Sequence, residues 1–102
     1  MYGLKDSTLQ IIIQEMQQHE EIQEAIIFGS RAKGTYQNGS DIDIAIKGPK
    51  ISHQLLTSLS RKLNQETPIP HHVDIVYYDQ ITNQDLIEHI HRVGQPLPIA
   101  KH

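Results

Sequence analysis

Residues 28–44 read Phe28-Gly29-Ser30-Arg31-Ala32-Lys33-Gly34-Thr35-Tyr36-Gln37-Asn38-Gly39-Ser40-Asp41-Ile42-Asp43-Ile44. A Gly-Ser step is followed, after ten intervening residues, by two aspartates with one residue between them. Just upstream, Glu24-Ala25-Ile26-Ile27-Phe28 has the form of a short buried strand stopped by Gly29. Ser30 can serve as N-cap of a short helix through Arg31-Ala32-Lys33, with Gly34 as its stop. Asn38-Gly39 is the sharpest turn signal in the segment that follows. From Asp41 to Lys47 the sequence then alternates strictly, as a strand does. Ile42, Ile44 and Ile46 share one face, while Asp41, Asp43, Ala45 and Lys47 share the other.

Outward from this stretch, helices and strands continue to alternate. Leu9, Ile12, Ile13 and Met16 fall on one helical stripe, and Ser7 with Gln10 reads as a capping box. These predict a helix over Ser7–Gln18. Ser52 is an N-cap candidate for a helix carrying Leu55, Leu56, Leu59 and Leu63, which we read as core. His72 to Tyr78 is rich in β-branched and aromatic residues and predicts a third strand. Thr82 or Asn83 can cap a last helix bearing Leu86, Ile87, Ile90 and Val93, stopped by Gly94 with Pro96 beyond. The order α-β-α-β-α-β-α predicts a mixed α/β (α+β) domain, a small mixed sheet with helices packed largely on one face. The pattern leaves strand directions open.

Composition sets the outer bounds. The chain has 102 residues, enough for one domain. Lys and Arg number 9 against 12 Asp and Glu, a net charge of −3 with His neutral. Direct nucleic-acid binding through a basic surface is therefore not expected. The absence of cysteine excludes disulfides and thiolate metal sites. The longest apolar run, Ile11-Ile12-Ile13, is far short of a membrane span. The start, Met1-Tyr2-Gly3-Leu4-Lys5, lacks a signal-peptide pattern. We expect a cytoplasmic protein without membrane attachment.

The chemistry follows from the spacing. Residues i and i+2 on a strand point the same way, with Cα atoms roughly 6.6 Å apart. Asp41 and Asp43 then present two carboxylates on one face, where their mutual repulsion would raise one pKa. A divalent cation relieves that conflict, and an oxygen-only ligand set suits Mg²⁺ or Mn²⁺. A strand that ends in Gly-Ser and opens a helix offers backbone N–H groups to an anion such as phosphate. Arg31 is expected to reach an outer phosphate as a charged fork. Asp74 is an acid within an otherwise apolar strand segment, Val73, Ile75 and Val76, where burial of a carboxylate needs a reason. It is the natural third carboxylate of a two-metal site and a candidate to accept a proton from an attacking hydroxyl.

Blander roles belong to other conspicuous residues. The seven histidines form no H-E-x-x-H pattern, and His89 and His91 do not share a helical face. We read them as surface or adaptable polar residues. Tyr77-Tyr78 reads as core and rim, and Tyr36 as a loop tyrosine.

Residues 26–46, I-I-F-G-S-R-A-K-G-T-Y-Q-N-G-S-D-I-D-I-A-I, resemble the signature of the nucleotidyltransferase family of polymerase β type. The likeness is greatest to its minimal, single-domain members. The signature spans about a fifth of the chain, and His72-Val73-Asp74-Ile75-Val76 extends the agreement. The resemblance implies that residues 1–102 form one minimal nucleotidyltransferase domain. It implies that Gly29 and Ser30 hold a triphosphate, that Asp41 and Asp43 bind two Mg²⁺ ions, and that Asp74 completes the triad. It implies transfer of AMP from ATP, with pyrophosphate leaving in line. About 24 residues follow the third strand, too few for the acceptor-binding domain of larger members. The acceptor surface would come from a partner. The minimal members act as antitoxins that transfer AMP to a tyrosine of a helical HEPN ribonuclease toxin, so a hetero-oligomer is expected. Two alternatives stand beside this: a non-catalytic antitoxin that masks its HEPN partner, and a subunit that modifies a small molecule.

Overall fold

A computed structural model describes residues 1–100 of the chain. Helix α1 (Asp6–Gln17) is followed by strand β1 (Glu24–Phe28) and the short helix α2 (Gly29–Lys33). Strand β2 (Ile42–Lys47), helix α3 (His53–Gln65) and strand β3 (Val73–Tyr77) come next. A 3₁₀ turn (Tyr78–Gln80), helix α4 (Gln84–Val93) and a two-residue strand β4 (Gln95–Pro96) are the last elements among the described residues. The mixed α/β class holds, and neither the 3₁₀ turn nor β4 is predicted by the sequence pattern.

The sheet has four strands in the order β3-β2-β1-β4. Strand β2 runs antiparallel to β1 and parallel to β3. The alternation in β2 sorts its residues between two cores. Ile42, Ile44 and Ile46 face α1 and α3, meeting Ile12, Met16, Leu59 and Leu63 in the main buried cluster. Burying each such side chain contributes about 1.5–3 kcal/mol, so this face carries most of the apolar stabilisation. Ala45 points the other way and meets Phe28 and Ile90 of α4 in a smaller cluster. Two of the three long helices thus lie on one face and α4 covers part of the other.

The caps of α3 and α4 follow the sequence. Ser52 accepts from the Leu55 N–H at the start of α3, and Asn83 accepts from Asp85 and Leu86 at the start of α4. The Ser7–Gln10 capping box does not form, because α1 begins a residue earlier with Lys5 at its N-cap and no side-chain cap. A buried Glu15 on α1 instead ties to α3 through Lys62 Nζ at 2.9 Å.

Strand β3 lies at the sheet edge, and Asn64 of α3 covers part of it. The Asn64 side chain accepts from the Val73 N–H and donates to the Val73 carbonyl, both at 2.8 Å. This side chain completes the edge as a neighbouring strand would. Asn64→Ala is expected to lower stability by about 1–2 kcal/mol in a urea titration. An unchanged midpoint would mean that water replaces the amide without loss. Among the described residues, no helix is long and apolar enough to cross a membrane.

Candidate functional site

Strand pairing gathers the sequence-predicted residues into one row. Asp43 stands opposite Phe28 on β1 and opposite Asp74 on β3. The residue after Phe28 is Gly29, where β1 turns into α2. Asp43 and Asp74 thus stand side by side on adjacent strands, and Gly29 opens α2 one residue beyond Phe28, the β1 partner of Asp43. Asp41 lies one residue before β2 and is exposed, as is Asp74. Asp43 is half-buried between them.

Gly29 and Asp43 fit closely. Gly29 adopts φ +73°, and a Cβ built there would lie 2.1 Å from Asp43 Oδ2. The carboxylate therefore occupies the space that any larger residue would fill. Ser30 falls inside α2 rather than at its N-cap, which is Phe28. Gly34 closes the helix in the left-handed conformation, as its sequence position predicts.

The electrostatics of the row are those of acids short of a counter-charge. Burial, followed by the nearby charges of Asp74 and Asp41, pushes the Asp43 carboxyl up from 3.8 to about 6, with His72 pulling the other way. Among the described residues, no three His, Cys, Asp or Glu side chains form a ready-made metal cage. That spacing does not conflict with the donor chemistry. Mg²⁺ keeps several waters and takes one or two carboxylates plus substrate phosphates, so a closed protein cage is unnecessary. An oxygen-only set around an acid that resists ionisation fits such an ion.

Arg31 departs from its expected role. Its guanidinium is buried, 2% exposed, and does not face the acid row's solvent side as a free fork. Nε and one terminal nitrogen both donate to the Ser40 carbonyl, at 3.1 and 2.9 Å. The other terminal nitrogen donates to the Tyr2 carbonyl at 3.0 Å. The His71 Nδ1 lies 3.2 Å from the guanidinium and must accept, since Arg only donates. Burial and the Arg31 charge both lower the His71 pKa, which keeps the ring neutral for that role. Arg31 thus joins α2 to the residue before Asp41 and to a residue three before Asp74. It is a bolt behind the site, and its donors are already committed to the chain. Arg31→Ala is expected to lower stability by about 2–4 kcal/mol, because several partly buried carbonyls lose their donor at once. Arg31→Lys recovers only part of this, since a point-like ammonium cannot span Ser40 and Tyr2 together. Equal stability of both variants and wild type would contradict the bolt.

One of the histidines read as surface or adaptable polar residues reaches the site. His89 of α4 accepts a hydrogen bond from the Gly29 N–H at Nε2, 3.1 Å away. Its ring also meets Phe28 edge-to-face, centroids 6.1 Å apart. The sequence signal for this was slight: His89 adjoins Ile90 on the helix stripe that faces Phe28. Tyr36 remains an exposed loop residue whose ring lies beneath the Arg31 guanidinium.

Comparisons with known proteins bear on the fold and the family. The family model described as polymerase beta, nucleotidyltransferase, matches residues 10–100. No curated protein matches the chain. A chain of a toxin–antitoxin complex with AMP-PNP superposes with a TM-score of 0.70 at 23% identity, covering 92% of this chain and 73% of that one. A chain of a tri-AMPylated Shewanella oneidensis HEPN toxin in complex with MNT antitoxin superposes equally well, at 0.70 and 21% identity, with 92% and 71% covered. A chain of the toxin–antitoxin pair MntA–HepT gives 0.68 at 21% identity, covering 91% and 71%. At these identities the likeness is one of fold.

Proposed function

Because the chain belongs to the polymerase β nucleotidyltransferase family, we propose that it is a Mg²⁺-dependent enzyme that transfers AMP from ATP to a protein hydroxyl. The acceptor we propose is a tyrosine of a helical HEPN-type partner, with this chain as the antitoxin. The observation that carries the reading is the pairing of Asp43 with Asp74 across β2 and β3, with Gly29 packed against Asp43 at the turn from β1 into α2. The fold likeness to a chain of the complex between a tri-AMPylated HEPN toxin and its MNT antitoxin supports the choice of partner.

In this reading Gly29 and Ser30 bind the triphosphate, with backbone N–H groups directed at phosphate oxygens. Asp41 and Asp43 would hold two Mg²⁺ ions, with Mn²⁺ an adequate substitute, and Asp74 would complete the set. When bound, such ions neutralise triphosphate charge and acidify a coordinated hydroxyl. The acceptor oxygen attacks the α-phosphorus, and the bond from that phosphorus to the bridging oxygen of the β-phosphate breaks. Pyrophosphate departs with the electron pair. Asp74, exposed on the edge strand, accepts the hydroxyl proton. Arg31 keeps the residues before Asp41 and Asp74 in place behind α2.

Incubation with Mg-ATP and the HEPN-type partner tests the reading by intact-mass measurement. The expected result is a gain of one or more AMP units on the partner, lost with Asp41→Asn. A partner that is bound and inhibited yet unmodified would contradict catalysis and favour masking.

A further inference from the structure

The Gly29 N–H is a single donor, and it already has a partner. His89 Nε2 accepts it at 3.1 Å across 60 residues of sequence. In the reading above, a phosphate oxygen needs this same N–H. The two acceptors cannot share it at full strength, and the Nε2 lone pair would face the incoming oxygen. We propose that His89 is a self-occluding side chain of the nucleotide site: it caps the Gly29 N–H in the free protein and must swing away for the triphosphate to bind. This deepens the proposed function and rests on it.

The geometry gives the imidazole this freedom without freeing its helix. Ile90, next to His89, is buried against Phe28 and Ala45, and Asn83 caps the helix start. Helix α4 is therefore anchored, and the motion required is rotation about the His89 side-chain bonds. His89 itself is only half-buried, with its ring edge-to-face on Phe28, so solvent is open to it. While Nε2 accepts, the neutral ring carries its proton on Nδ1. In that state it offers no donor at Nε2 to a phosphate. The contact thus lowers nucleotide affinity rather than adding to it, and it makes affinity depend on how α4 is held.

Calorimetric titration with Mg²⁺ and AMP-PNP tests this on the intact chain. His89→Phe keeps an aromatic ring against Phe28 and removes the acceptor; His89→Ala removes both. Thermal melting identifies a variant that fails to fold, and His89→Phe decides if His89→Ala does. Relief of the competition is expected to tighten binding by about 3- to 10-fold in His89→Phe, the range a single net hydrogen bond supports. The Gly29 amide resonance should move in the free variant and converge with wild type when nucleotide is saturating. Unchanged affinity, or weaker binding that marks His89 as a phosphate ligand, would overturn the inference while leaving the site reading intact. Binding by the variant alone would support the cap. Absence of binding in both proteins would overturn the site reading and the inference with it.

Discussion

Asp43→Asn is expected to raise thermal stability at neutral pH while lowering nucleotidyl transfer at least about a hundredfold. Both effects come from one carboxylate. In the fold its pKa is pushed up from 3.8 to about 6 by burial and by Asp74 and Asp41. Between those values the folded chain holds a proton that the unfolded chain has released. Stability from this group is therefore greatest below the lower value and declines as pH rises through the window. By pH 7 the ionised carboxylate is a net burden of about 1 kcal/mol, after allowance for its partial exposure. Asparagine keeps the shape and removes the charge. A variant that melts about 4–8 °C higher at pH 7, with a flatter profile between pH 4 and 6, is the expected result. Added Mg²⁺ should raise the wild-type melting temperature and have less effect on the variant. A variant less stable than wild type across the whole range would show that Asp43 is not in conflict with its neighbours.

Gly29→Ala is expected to abolish nucleotide binding and to destabilise the fold. Gly29 sits at φ +73°, where an L-residue with a side chain is strained by about 1–2 kcal/mol. The new Cβ would also lie 2.1 Å from Asp43 Oδ2, so the carboxylate must leave its position opposite Phe28. The combined loss should be about 2–3 kcal/mol in denaturant. Gly34 supplies the control. It has φ +89° and nothing within 4 Å of a built Cβ. Gly34→Ala should therefore show the backbone loss alone, about 1 kcal/mol, and retain nucleotide binding. Equal effects from the two substitutions would remove the argument that Asp43 packs against Gly29 for a purpose.

The parts of this site that were legible in the sequence are the local ones. The apolar run Ala25-Ile26-Ile27-Phe28 and its stop at Gly29 mark β1, and the alternation around Asp43 marks β2 and its faces. Asp74 is visible as an acid in an apolar strand. What was hidden depends on pairing between distant segments. No local pattern sets β2 antiparallel to β1 and parallel to β3, yet that register puts Asp43 beside Asp74 and beside Phe28, the residue before Gly29. Strand β4 is only Gln95-Pro96, and proline carries no strand signal. Arg31 looked like a phosphate fork because Gly29 and Ser30 precede it. Its true partners are Tyr2, Ser40 and His71, brought together only by the folded chain. His89 was hidden for the same reason.

The central claim is that the acid row and the Gly29-Ser30 turn form one metal-nucleotide site, and paramagnetic relaxation by Mn²⁺ tests it most directly. With AMP-PNP present, substoichiometric Mn²⁺ should broaden the amide resonances of Gly29, Ser30, Asp43 and Asp74 first. Broadening centred instead on a remote acidic patch such as Glu20 and Glu21, or identical with and without nucleotide, would contradict it.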